Sequence, residues 1–117
     1  MAEITNAGYQ SIRDFVEATW KYVELRDETG TKIVRLAVRD PRVTWEHNAN
    51  AQTLELKVVI KGSDAEVSLP KTFASSAIYS IATGGSALSD ESFSDFTMES
   101  SGDELTVIHK LEIPQII

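Results

Sequence analysis

Apolar residues recur at helical spacing near the start of the chain: Tyr9, Ile12, Phe15 and Val16. This spacing is typical of an amphipathic helix. Thr5 or Asn6 comes just before it, and either side chain can accept a hydrogen bond from a free amide of the first helical turn. The pattern therefore predicts one helix over residues 6–18.

After the helix, the pattern changes to the β-branched and aromatic residues that favour strands. Residues 20–25 and 31–38 are separated by a short segment that contains Gly30, which predicts a hairpin. Pro41 interrupts the ladder because it has no amide proton to donate. Residues 42–47 then predict a short third strand.

The most regular alternation predicts a strand over residues 54–61. Apolar residues occupy every second position of it: Leu54, Leu56, Val58 and Ile60. The residues between them are mostly charged, so one face should lie in the core and the other in solvent. Three further alternating residues predict a shorter strand over residues 65–69: Ala65, Val67 and Leu69.

The next part of the chain is less regular. Residues 73–82 fit either a helix or a strand, and the strand is slightly preferred. Residues 83–92 are rich in small and acidic residues, which predicts a mobile surface loop. Alternation resumes at Phe96 and Met98 and continues after a turn at residues 101–103.

The last strand carries an apolar face with one histidine in it: Leu105, Val107, His109, Leu111 and Ile113. A helix followed by a series of strands predicts a mainly β (α+β) fold. We expect an antiparallel β-sandwich-like body of about six to eight strands over residues 19–114. The whole chain, residues 1–117, is predicted to be a single domain.

Composition narrows the classes of protein. The 117 residues are 42% hydrophobic and 25% charged, as in ordinary globular chains. No cysteine is present, which excludes disulfides, thiolate metal sites and a cysteine nucleophile. The start lacks the basic and apolar segments of a secretory signal, and no stretch approaches the ~20 apolar residues of a membrane span. We therefore expect a soluble protein that is made inside the cell and is not secreted by a signal peptide.

The net charge of −7 argues against a nucleic-acid or membrane surface as the partner. The charge is uneven, because residues 62–117 contain nine acidic residues against only Lys71 and Lys110. A solvated acidic face is the simpler interpretation, and docking onto a basic protein surface is the alternative.

Candidate chemistry is sparse. His47 and His109 lie in separate strands without zinc-ligand spacing, and His109 is expected to be a buried, hydrogen-bonded histidine. An acidic group in the predicted loop could offer oxygen ligands to calcium but lacks the order of an EF-hand: Asp90, Glu91 and Asp95. No phosphate-binding or serine-nucleophile motif is present. We assign no catalytic, cofactor-binding or metal-binding residue and expect a protein that is not an enzyme and has no cofactor.

Aromatic and basic residues supply a possible interaction surface, completed by two apolar residues at the end of the chain: Trp20, Tyr22, Trp45, Arg35, Arg39, Ile116 and Ile117. Aromatic and arginine side chains are enriched in protein contact sites, and aromatic rings also stack on sugars. The alternative is that the rings belong to the core and the charges lie beside them.

The two ends of the chain resemble a known group of proteins. Residues 4–12, Ile-Thr-Asn-Ala-Gly-Tyr-Gln-Ser-Ile, resemble the opening of many tail-fibre and baseplate-associated proteins of tailed bacteriophages, and residues 103–114 resemble the closing strand of the same group. The resemblance implies a structural protein of a phage or prophage virion: an adaptor or decoration of the tail, neck or baseplate. It would form homo-oligomers and contact other virion proteins, without nucleic acid or membrane. It would be made in the host cytoplasm, or stay there as a prophage remnant.

Two other functions remain open. The first is a small carbohydrate-binding or adhesin-like module, in which Trp20, Tyr22 or Trp45 stacks on a sugar. It requires an aromatic ring exposed to solvent. The second is an enzyme whose carboxylates come together only in space, and this hypothesis ranks last because no motif supports it.

Overall fold

The computed structural model describes residues 2–49 and 51–114, and this part of the chain forms one helix and seven strands. The elements are α1 (Asn6–Thr19), β1 (Tyr22–Arg26), β2 (Lys32–Ala37), β3 (Val43–Trp45), β4 (Thr53–Lys61), β5 (Lys71–Tyr79), β6 (Ser89–Met98) and β7 (Glu104–Glu112). The fold is mainly β, as predicted.

The strands form two antiparallel sheets. Sheet A has the order β2-β1-β5-β6, and sheet B has the order β3-β4-β7. The inward faces of the two sheets supply the core, whose largest buried apolar side chains include Phe73, Leu25, Leu56, Ile60 and Ile78. The architecture is therefore the predicted sandwich-like packing of two sheets.

The predicted strand at residues 54–61 and the predicted first hairpin are both confirmed. In β4 the apolar positions are buried and the alternate positions are not. Between β1 and β2, Gly30 adopts a positive φ of 82°. The carboxylate of Asp27 accepts hydrogen bonds of 2.9 Å from the amides of Thr29 and Thr31, which closes the turn.

The structure corrects two predictions. Residues 65–69 form a turn followed by irregular backbone instead of a strand. Arg42 pairs with Asp64 at 3.4 Å and with Glu66 at 3.0 Å, so this segment is held against the β2–β3 connection. Residues 89–92, expected in a loop, belong to β6, because their backbone pairs with β5. Strand pairing there outweighs a composition that disfavours strands.

One glycine allows two turns to approach closely. A Cβ on Gly62 would lie 2.0 Å from the carbonyl oxygen of Ser100. The amide of Gly62 donates to the carbonyl of Asp103 at 2.9 Å. The turn after β4 and the turn before β7 are therefore packed backbone against backbone.

The predicted helix is confirmed, with Thr5 as its cap: the Thr5 hydroxyl accepts a 3.2 Å hydrogen bond from the amide of Gly8. The helix buries only Arg13 and Val16, and neither belongs to the main core cluster. Within the described residues, no helix is both long and apolar enough to cross a membrane.

Candidate functional site: the two faces of the helix

The outer face of α1 carries an exposed apolar stripe, which consists of Ile4, Ile12 and Phe15. Their exposed fractions are 54%, 40% and 62%. The side chain of Ile4 lies across Gly8, since a Cβ at Gly8 would come 2.8 Å from its Cγ2 atom. The helical repeat places Ile12 and Phe15 on the same side as Gly8. The amphipathic helix thus turns part of its apolar surface toward solvent.

The inner face of α1 is held by Arg13, which is 8% exposed. Its Nη1 donates to the carbonyl of Ile113, just beyond β7. Its Nε and Nη2 donate to Oε1 of Gln10 at 3.3 and 3.0 Å. The side-chain nitrogen Nε2 of Gln10 in turn donates to Oδ1 of Asp14 at 2.8 Å. A chain of polar contacts therefore joins the helix to the end of sheet B.

A second link runs through His47, which follows β3. Its Nδ1 accepts a 3.2 Å hydrogen bond from the amide of Glu55. Its other ring nitrogen, Nε2, lies 2.8 Å from Oε1 of Glu17 on the helix. The ring of Trp45 meets the imidazole edge to face, with centroids 5.5 Å apart.

Two adjoining concavities lie between α1 and the end of sheet B, and both include Gln10 and Arg13. The first, of about 360 Å³, also contains Asp14, Glu17 and His47. The second has a volume of about 510 Å³, and we call it the amide groove. Its lining residues are Asn6, Ala7, Tyr9, Gln10, Arg13, Gln52 and Pro114.

The outer face of sheet A carries a cluster of charged side chains around Glu24. The Glu24 carboxylate accepts from Arg26 Nε at 2.8 Å and pairs with Arg35 Nη2 at 2.9 Å. Burial by itself would raise the pKa of Glu24, but the hydrogen bonds from Arg26 and Arg35 outweigh it and hold that pKa below its ordinary value. The Arg35 guanidinium also lies over the ring of Tyr79, 3.5 Å from its centroid.

Arg35 also holds the connection between β5 and β6. Its Nη1 donates to the carbonyls of Ile81 and Gly84, each at 3.0 Å. The residue was predicted from sequence as part of an interaction surface. In the structure, its side chain is occupied by contacts within the chain.

The other residues of that predicted surface are dispersed. Trp20 and Trp45 are half-buried and pack against the core. Half-buried Tyr22 and exposed Arg39 share a small concavity of about 280 Å³. Ile116 and Ile117 lie outside the described residues.

His109 lies fully buried between the sheets, as predicted. Its Nδ1 is 2.7 Å from the hydroxyl of Ser76 on β5, and its Nε2 is 2.7 Å from the hydroxyl of Ser89 on β6. Burial lowers the pKa of His109, although Glu91 and Asp90 act in the opposite direction. Both ring nitrogens are thus used in contacts that join sheet B to sheet A.

The acidic residues considered as calcium ligands lie on β6. The Asp90 carboxylate is 3.3 Å from Arg26, and Glu91 accepts a 2.9 Å hydrogen bond from the amide of Lys110. Within residues 2–49 and 51–114, no three His, Asp or Glu side chains gather as a metal site.

The exposed stripe and the buried arginine have no distinctive signal in the sequence. The same helical periodicity describes a stripe that is covered and one that is open to solvent. For Arg13 the sequence shows only a basic residue on the side of the helix where Tyr9 and Val16 lie. The pattern of apolar and polar positions does not distinguish a guanidinium that is buried from one that extends into water. Comparisons of this chain with protein-family models, curated proteins and solved structures found no match.

Proposed function

We propose that this protein is a non-enzymatic assembly module that binds a second copy of itself through the apolar stripe of α1. The exposure of Ile4, Ile12 and Phe15 on one helix face carries the proposal. Large apolar side chains that are grouped on a surface mark contact sites more often than scattered ones do. Two antiparallel copies of the helix would place each stripe against the other in a two-fold contact.

The size of the stripe sets the expected strength of the contact. The three side chains expose roughly 300 Å² of apolar surface in each copy, so burying both stripes would remove roughly 600 Å² from water, equivalent to at most about 15 kcal/mol before the cost of association. That cost is of the same order, about 4–15 kcal/mol. The stripe alone therefore supports a weak, reversible dimer, and a stable assembly needs further contacts with other subunits.

The resemblance of both chain ends to tail-fibre and baseplate-associated phage proteins supports a more specific role. We infer that the assembly is a phage or prophage virion, in which this chain acts as an adaptor or decoration of the tail, neck or baseplate. Weak pairwise contacts suit such a place, because many copies together give a high overall avidity. Mass spectrometry of purified particles from the source organism tests this role, and absence of the chain from them contradicts it.

Light scattering across a wide concentration range tests self-association. We expect the mass of the wild-type protein to rise toward a dimer as concentration increases. Phe15→Gln combined with Ile12→Gln should abolish this rise, because glutamine is polar and keeps the helix propensity high. The matched control is Ile108→Thr, which removes a side chain with a similar exposure of 42% from the outer face of β7 and should leave association unchanged.

Salt distinguishes this contact from docking of the acidic face. Association through the stripe should persist at high salt, because apolar contacts are not screened. A wild-type protein that is monomeric up to about 1 mM, or an association abolished by salt, contradicts the proposal.

A further inference from the structure

The amide groove is lined in part by Arg13, the basic residue of α1. Arg13 is more than nine-tenths buried, yet all of its hydrogen-bond acceptors are neutral: Gln10 and the carbonyl of Ile113. Within the described ranges, 2–49 and 51–114, no carboxylate forms an ion pair with it. Buried charges in proteins are usually paired, so an anionic ligand would complete the contacts that the described residues give to this guanidinium.

The Arg13 guanidinium still has N–H groups with which it could bind an anion. Its three contacts use three of the five N–H groups of an arginine, which leaves one on Nη1 and one on Nη2. These two nitrogens form a planar fork that fits a carboxylate in a bidentate pair. Of the described residues that line the amide groove, Arg13 is the one that carries a charge.

The rest of the lining is suited to hydroxyl groups. Asn6, Gln10 and Gln52 have amides that both donate and accept hydrogen bonds, and the phenol of Tyr9 does the same. Sugar hydroxyls also combine both roles. Two parts of this lining already take part in hydrogen bonds. The Gln10 side chain accepts from Arg13 and donates to Asp14, which leaves it one N–H group. The side-chain amide of Gln52 donates to the carbonyl of Pro114 at 2.9 Å, and no described residue donates to its side-chain oxygen. The volume of about 510 Å³ is in the range of small-ligand sites.

We propose that the amide groove binds a sugar acid, with its carboxylate on the Arg13 fork and its hydroxyls on the amides and Tyr9. This site lies on the face of α1 opposite the apolar stripe. It is therefore independent of the proposed self-association, and each can fail without the other.

A titration of the ¹⁵N-labelled full chain with D-glucuronate, followed by NMR, tests the site. We expect saturable shifts of the amides of residues 6–13 and of the side-chain amides of Gln10 and Gln52. Two further ligands at matched ionic strength separate the two parts of the recognition: glucose lacks the carboxylate, and acetate lacks the hydroxyls. Both should bind at least about tenfold more weakly than glucuronate, because each lacks one set of contacts.

Variants then connect the binding to the groove. Arg13→Gln should weaken glucuronate binding about tenfold or more, since it removes the fork and the charge. Because Arg13 also holds Ile113, Tyr9→Phe provides a second variant that removes only a hydroxyl and should weaken binding severalfold. Arg39→Gln, at an exposed arginine outside the groove, and Phe15→Gln, in the stripe, should bind as the wild type does.

Three results would overturn the proposal. The first is the absence of any saturable shift at ligand concentrations up to about 20 mM. Such an affinity would be weaker than a bidentate ion pair with supporting hydrogen bonds should give. The second is equal binding of acetate and glucuronate, which leaves no role for the sugar. The third is unchanged affinity in both Arg13→Gln and Tyr9→Phe.

Discussion

The imidazole of His109 on β7 lies 2.7 Å from the hydroxyl of Ser76 on β5, so a side chain of sheet B hydrogen-bonds to a side chain of sheet A inside the core. Both residues are fully buried. With Ser89 on the other ring nitrogen, the neutral imidazole donates one hydrogen bond and accepts one. This arrangement satisfies a polar ring at the centre of an apolar interface and fixes the position of β7 relative to β5.

Replacing that ring should destabilise the sandwich. We expect His109→Ala to lower the free energy of unfolding by about 2–4 kcal/mol, because it leaves a cavity and a buried Ser76 hydroxyl without its partner. Urea unfolding measures the change. Ser94→Ala, at an exposed serine of β6, is the control and should stay within about 0.5 kcal/mol of wild type. A loss below about 1 kcal/mol in His109→Ala would show that the network contributes little.

Stability should depend on pH through the same ring. Burial lowers the pKa of His109 in the folded protein, so the unfolded chain binds a proton more readily than the folded one as the pH falls below about 6.5. The free energy of unfolding should therefore decrease from pH 7 to pH 5.5, with a slope from this group of at most about 1.4 kcal/mol per pH unit. Urea unfolding over this range should show a smaller slope for His109→Gln. Equal slopes would contradict the assignment to His109.

The cluster around Glu24 allows a comparison of two carboxylates that contact the same arginine. Glu24→Gln should lower the free energy of unfolding by about 2–4 kcal/mol, because Arg26 and Arg35 lose a buried anionic partner. Asp90→Asn removes a largely exposed partner of Arg26 and should cost less than about 1 kcal/mol. Thermal or urea unfolding distinguishes them, and equal effects would show that burial does not set the strength of these ion pairs.

The same carboxylate adds an acid dependence. The pKa of Glu24 is lower in the folded chain than in the unfolded one, so its stabilisation is complete above about pH 4.5 and is lost as the pH falls further. Unfolding experiments below pH 4.5 should show a smaller decrease in stability for Glu24→Gln than for wild type. A parallel decrease in both proteins would contradict this role.

Substitutions at two glycines test whether the turn after β4 and the turn before β7 must lie as close together as the structure shows. Gly62→Ala should destabilise the protein by about 2 kcal/mol or more, because the added Cβ would meet the Ser100 carbonyl and the backbones would have to separate. Gly102→Ala should be nearly neutral, since the nearest atom to a Cβ there is 3.9 Å away. Thermal unfolding of both variants measures the difference. A neutral Gly62→Ala would mean that the two turns can move apart at little cost.

Local patterns predicted some elements well. Helix α1, strand β4 and the His109 face of β7 follow from periodicity, because a regular repeat of apolar residues identifies both the element and its buried side. Residues 65–69, predicted as a strand, and residues 89–92, predicted as part of a loop, were both assigned wrongly. In the first segment a local turn hydrogen bond from the amide of Val67 to the carbonyl of Asp64 forms, and in the second the backbone pairs with the distant strand β5.

The candidate sites depended even more on distant contacts. Arginine is a residue type that is common in contact sites, which is why the sequence suggested Arg35. In the fold, however, its side chain contacts Glu24, Tyr79 and the carbonyl of Gly84. Phe15 has the pattern of a core residue, but it lies on the open side of the helix. The residue type indicates which contacts a side chain is able to make, whereas its neighbours in the fold determine which contacts it does make.

By itself, the sequence determined the mainly β class, the amino-terminal helix, the first hairpin and the burial of His109, because these depend on short-range periodicity and turn chemistry. Only the tertiary structure decided how the strands divide between two sheets and which side of α1 packs against them. It also placed Arg13 at a groove where none of the described carboxylates pairs with it. Such features arise from contacts between residues far apart in the chain, and the energy of those contacts is set by burial and geometry that a linear pattern does not contain.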